Sequence, residues 1–490
     1  MTNMPMPVRE PMLAAPCPPA AQPAAASAKS IYLAMSQGLE RQPEAAHHFL
    51  RRCLADAEAL PVALPLDPSR LDNWSQRHVL DVGAAYQDYL ARRKAGAPRQ
   101  YFASKAAALY FLRAVAPTKL VDGAWLYGVL PHWQDVAFHG LIRTYLEELG
   151  DGVADKNHVA IYQQLLATHG CDQWHDLSDE HFEQGAIQLA LAAQADQFLP
   201  ELIGYNLGYE QLPLHLLITS YELNELGIDP YYFTLHVTVD NGSNGHAHKA
   251  IAALQALMAR ADDPAAFYQR VLNGYRLNEL GACTTSVIGA FDIDKELKRL
   301  LADKAIIGKD MHSDYCRIEG KAVSAWLENP AAIGDFLDAM TRAGWIQRGQ
   351  DAAASRFWGL VSGPRAEMFG VFSPYELQVL RDWIEQAPGG ASAARREPSY
   401  RARQRNLREL AGSAEARPAA MRGVIRHWGQ AANDGGAAGQ NALRVFEQQV
   451  AECGGKDAAM ALLGAAIAPS THHTPVGMMA TRMFAQLLDA

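Results

Sequence analysis

The stretch EQGAIQLALAAQADQFL, residues 183–199, decides the fold class of this chain. Its apolar residues recur at the spacing of one face of an α-helix. The stretches YFASKAAALYFLRAV (101–115) and AHKAIAALQALMARA (247–261) repeat the pattern on either side of it. No run of alternating β-branched residues with hairpin turn signals accompanies them. We therefore predict an all-α protein whose helices end at Gly and Pro residues.

The composition is that of a globular protein that binds small molecules. Of the 490 residues, 49% are hydrophobic and 20% charged, and 44 basic residues stand against 53 acidic ones, for a formal net charge of −9. This balance excludes a collagen-like or wholly disordered chain and does not indicate a broad basic surface. We expect a small-molecule substrate and no nucleic acid, and a homodimer is compatible with the sequence.

The sequence carries no sign of export or of membrane insertion. Six cysteines are scattered without a C-x-x-C pair, which fits a reducing compartment. The Ala- and Pro-rich start lacks the basic and apolar regions of a secretory signal. The longest nearly apolar run, residues 460–468, is too short to cross a bilayer. We expect a soluble cytoplasmic protein with no membrane contact.

Shifts in composition divide the chain into six regions. The central region is the most regular in its helical spacing, and the region after it is aromatic and compatible with a short strand or hairpin. The regions are a flexible tail (1–28), an N-terminal helical region (29–100), a central helical domain (101–291), a helical and aromatic extension (292–386), a linker (387–399) and a C-terminal helical region (400–490).

The densest group of potential metal ligands is YYFTLHVTVDNGSNGHAHKA, residues 231–250. His236 and Asp240 are four residues apart, so a helix puts them on one face. Buried among apolar neighbours, they would be unpaired polar groups unless they bind a partner such as a metal ion. An uninterrupted helix would place His246 about 80° from His236, so we expect the NGSNG segment to loosen the helix locally. His248 would lie farther away.

A second pair of candidates precedes a histidine on another predicted helix. Glu147 and His158 are eleven residues apart, which on a continuous helix returns to within about 20° of the same face. Glu148 is favoured instead if the Gly-rich segment that begins at Gly150 bends the helix. Both glutamates therefore stay candidates at this point.

A third segment supplies one more carboxylate. Glu210 lies in GYNLGYE (204–210), where it has few charged neighbours, and such an acid is commonly buried and coordinated. Glu222 and Glu225 are predicted to be solvated. The pair His472-His473 is predicted to occupy a flexible surface turn, since no carboxylate is near it in sequence.

Carboxylates and histidines from several helices are the ligand set of a dinuclear carboxylate site. In such a site, oxygen and imidazole donors hold two Fe(II) ions with open positions for O₂. Zinc hydrolases generally use fewer carboxylates. The sequence therefore favours iron over zinc.

Five motifs stand out along the chain: LVDGAWL (120–126), EELGDG…H (147–158), GYNLGYE (204–210), H-x-x-x-D-N-x-x-x-G-H (236–246) and SRFW…MFGVFSPYEL (355–377). Together they resemble one protein family, the iron-containing redox enzymes of the haem-oxygenase-like diiron oxidases. The resemblance spans residues 101–386, and the H-x-x-x-D…H element is its most specific part.

The resemblance implies a haem-oxygenase-like helical bundle without haem, with additional mostly helical N- and C-terminal regions. It implies two Fe(II) per chain, with O₂ as co-substrate. Members of the family oxidise small amine- or carboxylate-bearing metabolites by N-oxygenation, desaturation, C–C fragmentation or oxidative decarboxylation. The implied ligands are Glu147 or Glu148, His158 and His236 for one iron, and Glu210, Asp240 and His246 for the other.

Four further residues are weaker candidates for the substrate pocket. Trp125 and Trp358 are predicted to wall it, although a buried Trp is ordinarily a core residue. Arg356 and Lys119 are candidate anchors for a substrate carboxylate, and ion pairing at the surface is an equally open alternative. No catalytic residue beyond the metal ligands is predicted.

Two other functions stay open on the sequence alone. One is a metal-independent oxidase of the quinone-cofactor-synthase type on the same scaffold, in which His236 and His158 transfer protons. The other is a helical binding protein without enzymatic activity. If the diiron function is right, we expect the tail and the residues beyond about 387 to be dispensable for iron chemistry.

Overall fold

The computed structural model describes residues 26–239, 245–313, 315–387, 398–412 and 437–490. The chain is all-α, as predicted, with one two-stranded hairpin among the described residues. Most of the predicted tail, most of the predicted linker and Asp240 lie outside this part of the chain. No described helix combines the length and the apolar character that crossing a bilayer requires.

The N-terminal region consists of helices that pack against the central domain. The Ser27 side chain caps the first helix, and the Asp179 carboxylate accepts the backbone N–H groups of Ala28 and Lys29 at 3.2 and 2.8 Å. The α-helices are α1 (Ala28–Met35), α2 (Pro43–Ala57) and α3 (Leu71–Lys94), and the short 3₁₀ helices are Leu39–Arg41 and Pro68–Arg70.

The central domain is a bundle of short helices whose buried apolar side chains belong to two cores. Its α-helices are α4 (Lys105–Ala114), α5 (Ala116–Lys119), α6 (His139–Glu148), α7 (His158–His169), α8 (Glu183–Ala193), α9 (Leu199–Tyr209), α10 (Leu214–Glu225), α11 (Tyr231–Val239), α12 (His246–Met258) and α13 (Pro264–Arg276). The 3₁₀ helices of this domain are Ala124–His132, Val136–Phe138, Gly150–Gly152, Ala154–Lys156, Asp179–His181 and Leu277–Glu279.

The three stretches that predicted helices from sequence form α4, α8 and α12. Helix α9 packs against α13, α6 packs against α12, and α8 packs against the 3₁₀ helix Ala124–His132. Fully buried side chains such as Leu141, Ile187 and Leu254 fill the space between them. This arrangement brings the ends of α6, α9 and α11 and the starts of α7 and α12 to one place.

The extension after the bundle packs with helices α4, α7, α10 and α11 of the central domain around a second apolar core. Its elements are α14 (Thr284–Ala290), α15 (Ile293–Gly308), β1 (Arg317–Ile318), β2 (Lys321–Ala322), α16 (Val323–Leu327), the 3₁₀ helices Pro330–Ala332 and Ala352–Ala354, α17 (Ile333–Arg342), α18 (Arg356–Val361) and α19 (Pro374–Glu385). Strands β1 and β2 pair antiparallel, which agrees with the predicted hairpin. Ser373 and Glu376 form a capping box at the start of α19, which fixes that helix end.

The C-terminal helices return to the central bundle. They are α20 (Tyr400–Gly412), α21 (Ala437–Ala451), α22 (Lys456–Ala466) and α23 (Pro475–Asp489). Met460, Leu463 and Phe484 are buried in the same core as the central helices. His472, between α22 and α23, is 2% exposed, so the predicted flexible surface position is wrong.

Glu222 on α10 is buried, and the prediction of a solvated position is wrong for it. Its carboxylate accepts hydrogen bonds from the Tyr89 hydroxyl and from the backbone N–H groups of residues 100, 101 and 102, at 2.5 to 3.0 Å. Glu225, one turn later, is 26% exposed and pairs with Arg93. The buried carboxylate thus ties α3 and the start of the central domain to α10.

We expect Glu222→Gln to lower the free energy of unfolding by about 2 kcal/mol or more, because an amide nitrogen then faces N–H or O–H donors inside the protein. The matched variant Glu225→Gln, on the same helix, breaks a partly exposed ion pair and should cost less than about 1 kcal/mol. Urea denaturation of both variants measures the difference. Equal losses would contradict the structural role of Glu222.

Candidate metal centre

The structure brings six buried side chains together in two overlapping groups. The first group is Asp122, Glu148, His158 and His236, and the second is Glu148, Glu210 and His246. In each group, one potential ligand atom from every residue lies within 4.8 Å of the others. Glu148 belongs to both groups, so together they form one continuous cluster.

Asp122 is the member of the cluster that sequence reasoning missed. It precedes Gly123, whose φ of 78° lies in the left-handed region. A Cβ at this glycine would lie 2.9 Å from the Cβ of Glu148, so only glycine allows the two chain segments to approach. The available signal was a single acid inside the apolar stretch LVDGAWL, followed at once by glycine.

The Asp122 carboxylate is held by two phenols. Tyr232 donates to it at 2.5 Å and Tyr209 at 2.9 Å. The Lys119 ammonium donates to the Tyr209 hydroxyl at 2.9 Å and lies 4.0 Å from Asp122. Burial alone would raise the pKa of Asp122, but Lys119 and two hydrogen-bonded histidines outweigh it and hold this pKa well below its usual range. The carboxylate is therefore ionised.

His236 on α11 faces the same carboxylate with a defined ring nitrogen. Its Nδ1 lies 2.8 Å from the Tyr232 carbonyl oxygen, which can only accept, so Nδ1 carries a proton. Its Nε2 lies 3.0 Å from Asp122 Oδ2. With its proton on Nδ1, the ring has Nε2 as the nitrogen that a metal ion could bind.

Glu148 and His158 come together across a break between two helices. Helix α6 ends at Glu148 and α7 begins at His158, and the turns between them bring His158 Nδ1 into direct contact with Glu148 Oε2. The eleven-residue spacing argument for Glu147 assumed a continuous helix and is wrong for that reason. Burial alone would lower the pKa of His158, but Glu148 and Asp122 outweigh it and raise this pKa to about 10.

His246 begins α12 and is surrounded by three carboxylates. Its Nδ1 lies 2.8 Å from Glu210 and 3.4 Å from Glu148, while its Nε2 lies 2.9 Å from Glu147. Glu147 also pairs with Lys249 at 2.5 Å and is 25% exposed. Of the two adjacent glutamates, Glu148 thus points into the cluster and Glu147 orients His246 from outside.

The cluster passes three structural tests for metal binding. It concentrates three buried carboxylates, which repel one another unless cations lie between them. Its imidazole nitrogens point at carboxylate oxygens. Within the described residues, Nε2 of His158 and Oε1 of Glu210 are buried without a hydrogen bond. Three carboxylates with three imidazoles suit iron or manganese.

Three of the four weaker pocket candidates lie in the core or in the extension that follows the bundle. Trp125 is fully buried, and its Nε1 donates to Asn206 Oδ1 at 2.8 Å. Arg356 stacks over the ring of Trp345, and Trp358 packs against the second apolar core. In the described part of the chain, no ion pair, hydrogen bond or ring contact joins Arg356 or Trp358 to the cluster, so their predicted pocket roles lack structural support.

We expect metal binding to release about two protons per chain near pH 7, because histidine must be deprotonated to ligate. The pKa of His158 is raised to about 10, and Glu210 and Glu147 outweigh burial to raise the pKa of His246 well above its usual value. Both rings are therefore doubly protonated and positively charged in the metal-free protein. Each must lose one proton to bind a metal ion, so metal affinity should rise with pH. Calorimetry in two buffers of different ionisation enthalpy measures the release, and affinity that does not change with pH would contradict it.

A match to a known protein family agrees with metal binding by the cluster. The model of a family described as iron-containing redox enzyme matches residues 109–279. All six clustered residues lie inside this segment, whereas α1–α3 and the helices from α14 onward lie outside it. No curated protein and no solved structure is significantly similar to the chain. The match supports an oxidoreductase, and over residues 109–279 the chain is similar to the haem-oxygenase-like, iron-containing redox enzymes.

Proposed function

We propose that the protein is an O₂-dependent non-haem diiron oxidase or oxygenase. One observation carries the proposal: Glu148 is shared by two buried groups of carboxylates and histidines, as a bridging ligand between two metal ions would be. The proposed substrate is a small amine- or carboxylate-bearing metabolite. The proposed outcomes are N-oxygenation, desaturation, C–C fragmentation or oxidative decarboxylation.

The two groups divide the ligands between two ions. Asp122, His158 and His236 would hold one ion, Glu210 and His246 the other, with Glu148 between them. Asp240 lies outside the described residues and stays a proposed ligand from its sequence motif. When bound, two ferrous ions with open positions supply electrons to O₂.

The residues around the ligands fix their charge and orientation. Burial, reinforced by Asp122, raises the pKa values of Tyr209 and Tyr232 well above the usual value, so both phenols keep their protons and donate to Asp122. The Tyr232 carbonyl orients the His236 ring. Lys119 compensates part of the negative charge from the edge of the cluster. Such outer contacts set ligand orientation and metal affinity.

Lys119 is also the better of the two proposed anchors for a substrate carboxylate. Its side chain is 16% exposed and lies beside the cluster. Arg356 stacks on Trp345 within the extension that follows the bundle. A cation next to the metal ligands can bind an anionic group of a substrate while its oxidisable carbon or nitrogen faces the open metal positions.

The two alternative functions require a different use of the same histidines. A metal-independent oxidase needs His236 and His158 to exchange protons with substrate, but one ring nitrogen of each faces a buried carboxylate. A binding protein would need no repelling carboxylates in its core. Tight, stoichiometric iron binding separates the diiron proposal from both alternatives.

We expect two iron ions per chain at saturation under anaerobic Fe(II) loading. Asp122→Asn should reduce this number or weaken binding at least about tenfold, since it removes a charged ligand. Circular dichroism should show the same helix content, because the apolar cores supply most of the stability. A wild-type protein that never exceeds one iron per chain would contradict the dinuclear proposal.

We expect His246→Ala to abolish O₂ consumption that depends on iron and to lower the iron content, because the ring contacts Glu210 and Glu148. His248→Ala is the matched control, since His248 lies on the same helix but is exposed. It should keep the iron content and O₂ consumption of the wild type. Equal losses in both variants would place the centre elsewhere.

A further inference from the structure

We infer that His472, in the connection between α22 and α23, is a positioning residue for the metal centre. It would act through Asn157 on the segment that joins Glu148 to His158. The inference rests on the proposed metal centre. His472 lies outside the segment that matches the iron-containing redox enzymes, whereas Asn157 lies inside it.

Asn157 joins the three parts of this arrangement. Its Oδ1 accepts the backbone N–H of Ala160 at 3.0 Å and so caps α7 next to His158. Its Nδ2 donates to the carbonyl oxygen of Leu149 at 3.2 Å, next to Glu148. The same Nδ2 donates to His472 Nδ1 at 3.1 Å. One buried amide thus links the end of α6, the start of α7 and the C-terminal helices.

His472 is suited to this task only as a neutral acceptor. Asn157 Nδ2 can only donate, so His472 Nδ1 must offer its lone pair. Burial, more than the neighbouring His473, lowers the pKa of His472 to about 3. The ring therefore stays neutral at physiological pH. A side chain without an acceptor at this position would leave a buried amide hydrogen without its partner.

Two further contacts attach the same segment to the C-terminal helices. The Tyr145 hydroxyl, one turn before Glu148 on α6, donates to the Ile467 carbonyl oxygen at 2.6 Å. Arg482 on α23 donates to the Gly152 carbonyl oxygen at 2.6 Å. Gly152 has a φ of 75°, and a Cβ there would lie 2.2 Å from the Met478 carbonyl oxygen, so the two chain segments are in close contact.

These contacts bear on the metal centre because residues 149–157 contain only short 3₁₀ turns. Because 3₁₀ turns have poorer hydrogen-bond geometry than an α-helix, we expect this segment to depend on its neighbours for a fixed shape. Glu148 and His158 flank this segment on its two sides, and in the proposed centre both would face the same ion. The expectation from sequence that residues beyond about 387 are dispensable for iron chemistry therefore conflicts with this geometry.

The test compares His472→Leu with the conservative variant His472→Gln in the full chain. Gln offers an acceptor oxygen to Asn157, and Leu does not. We expect His472→Leu to weaken Co(II) binding by about tenfold, the lower range for loss of an outer contact. It should also speed hydrogen exchange at residues 149–158 of the metal-free protein. His472→Gln should restore both properties to near the wild type.

Met460→Ala is the matched structural control. Met460 is buried on α22 and lines a cleft with Tyr127, and Asn157 is not among the residues that line this cleft. It should lower the thermal midpoint and leave the Co(II) dissociation constant unchanged. If Met460→Ala weakens Co(II) binding as much as His472→Leu, or if His472→Gln does not restore it, the positioning role is overturned.

Tyr145→Phe is the second variant, for use if His472→Leu does not fold. It removes only the hydroxyl that donates to the Ile467 carbonyl oxygen, one of the contacts between α6 and the C-terminal helices. It should weaken Co(II) binding and speed exchange in residues 149–158, and unchanged values would overturn the inference. Wild-type protein that binds no metal would contradict the proposed function instead. In that case, hydrogen exchange in the metal-free variants still decides whether His472 holds the segment.

Discussion

Mutual repulsion of three buried carboxylates is the constraint on which the rest of this structure depends. Asp122, Glu148 and Glu210 present oxygens in two groups that share Glu148, each within 4.8 Å. At this separation, two unit charges repel by about 3 to 4 kcal/mol at an effective dielectric constant near 20. Such a cluster persists only if cations occupy it. Protonated histidines meet the need in the metal-free protein, and metal ions would replace those protons on binding.

Interruptions of helices, rather than long regular elements, place the residues of this cluster. Gly123 lets Asp122 approach Glu148, the interruption after α6 brings His158 back to its neighbour, and α12 starts with His246. These breaks place Asp122 in a turn and Glu148, His158 and His246 at helix ends. The apolar cores around these breaks supply the rigidity that the breaks themselves lack.

Helical spacing was enough to predict the all-α class, and the isolation of Glu210 among apolar residues was enough to predict its burial. The same spacing argument was misleading for Glu147. It assumed a helix that continues to His158, whereas the helix ends at Glu148. Asp122 was missed because an acid contributed from a turn has no periodic partner in sequence. Glu222 and His472 were misplaced because the groups that bury them, residues 100–102 and Asn157, are distant in the chain.

The account depends most directly on two metal ions lying on either side of Glu148. A crystal structure of the manganese-loaded protein, with anomalous difference maps recorded near the manganese absorption edge, measures this. The account predicts two peaks about 3.5 to 4 Å apart, the usual separation in two-metal sites, with Asp122, His158 and His236 around one and Glu210 and His246 around the other. A single peak, or peaks away from Glu148, would contradict it.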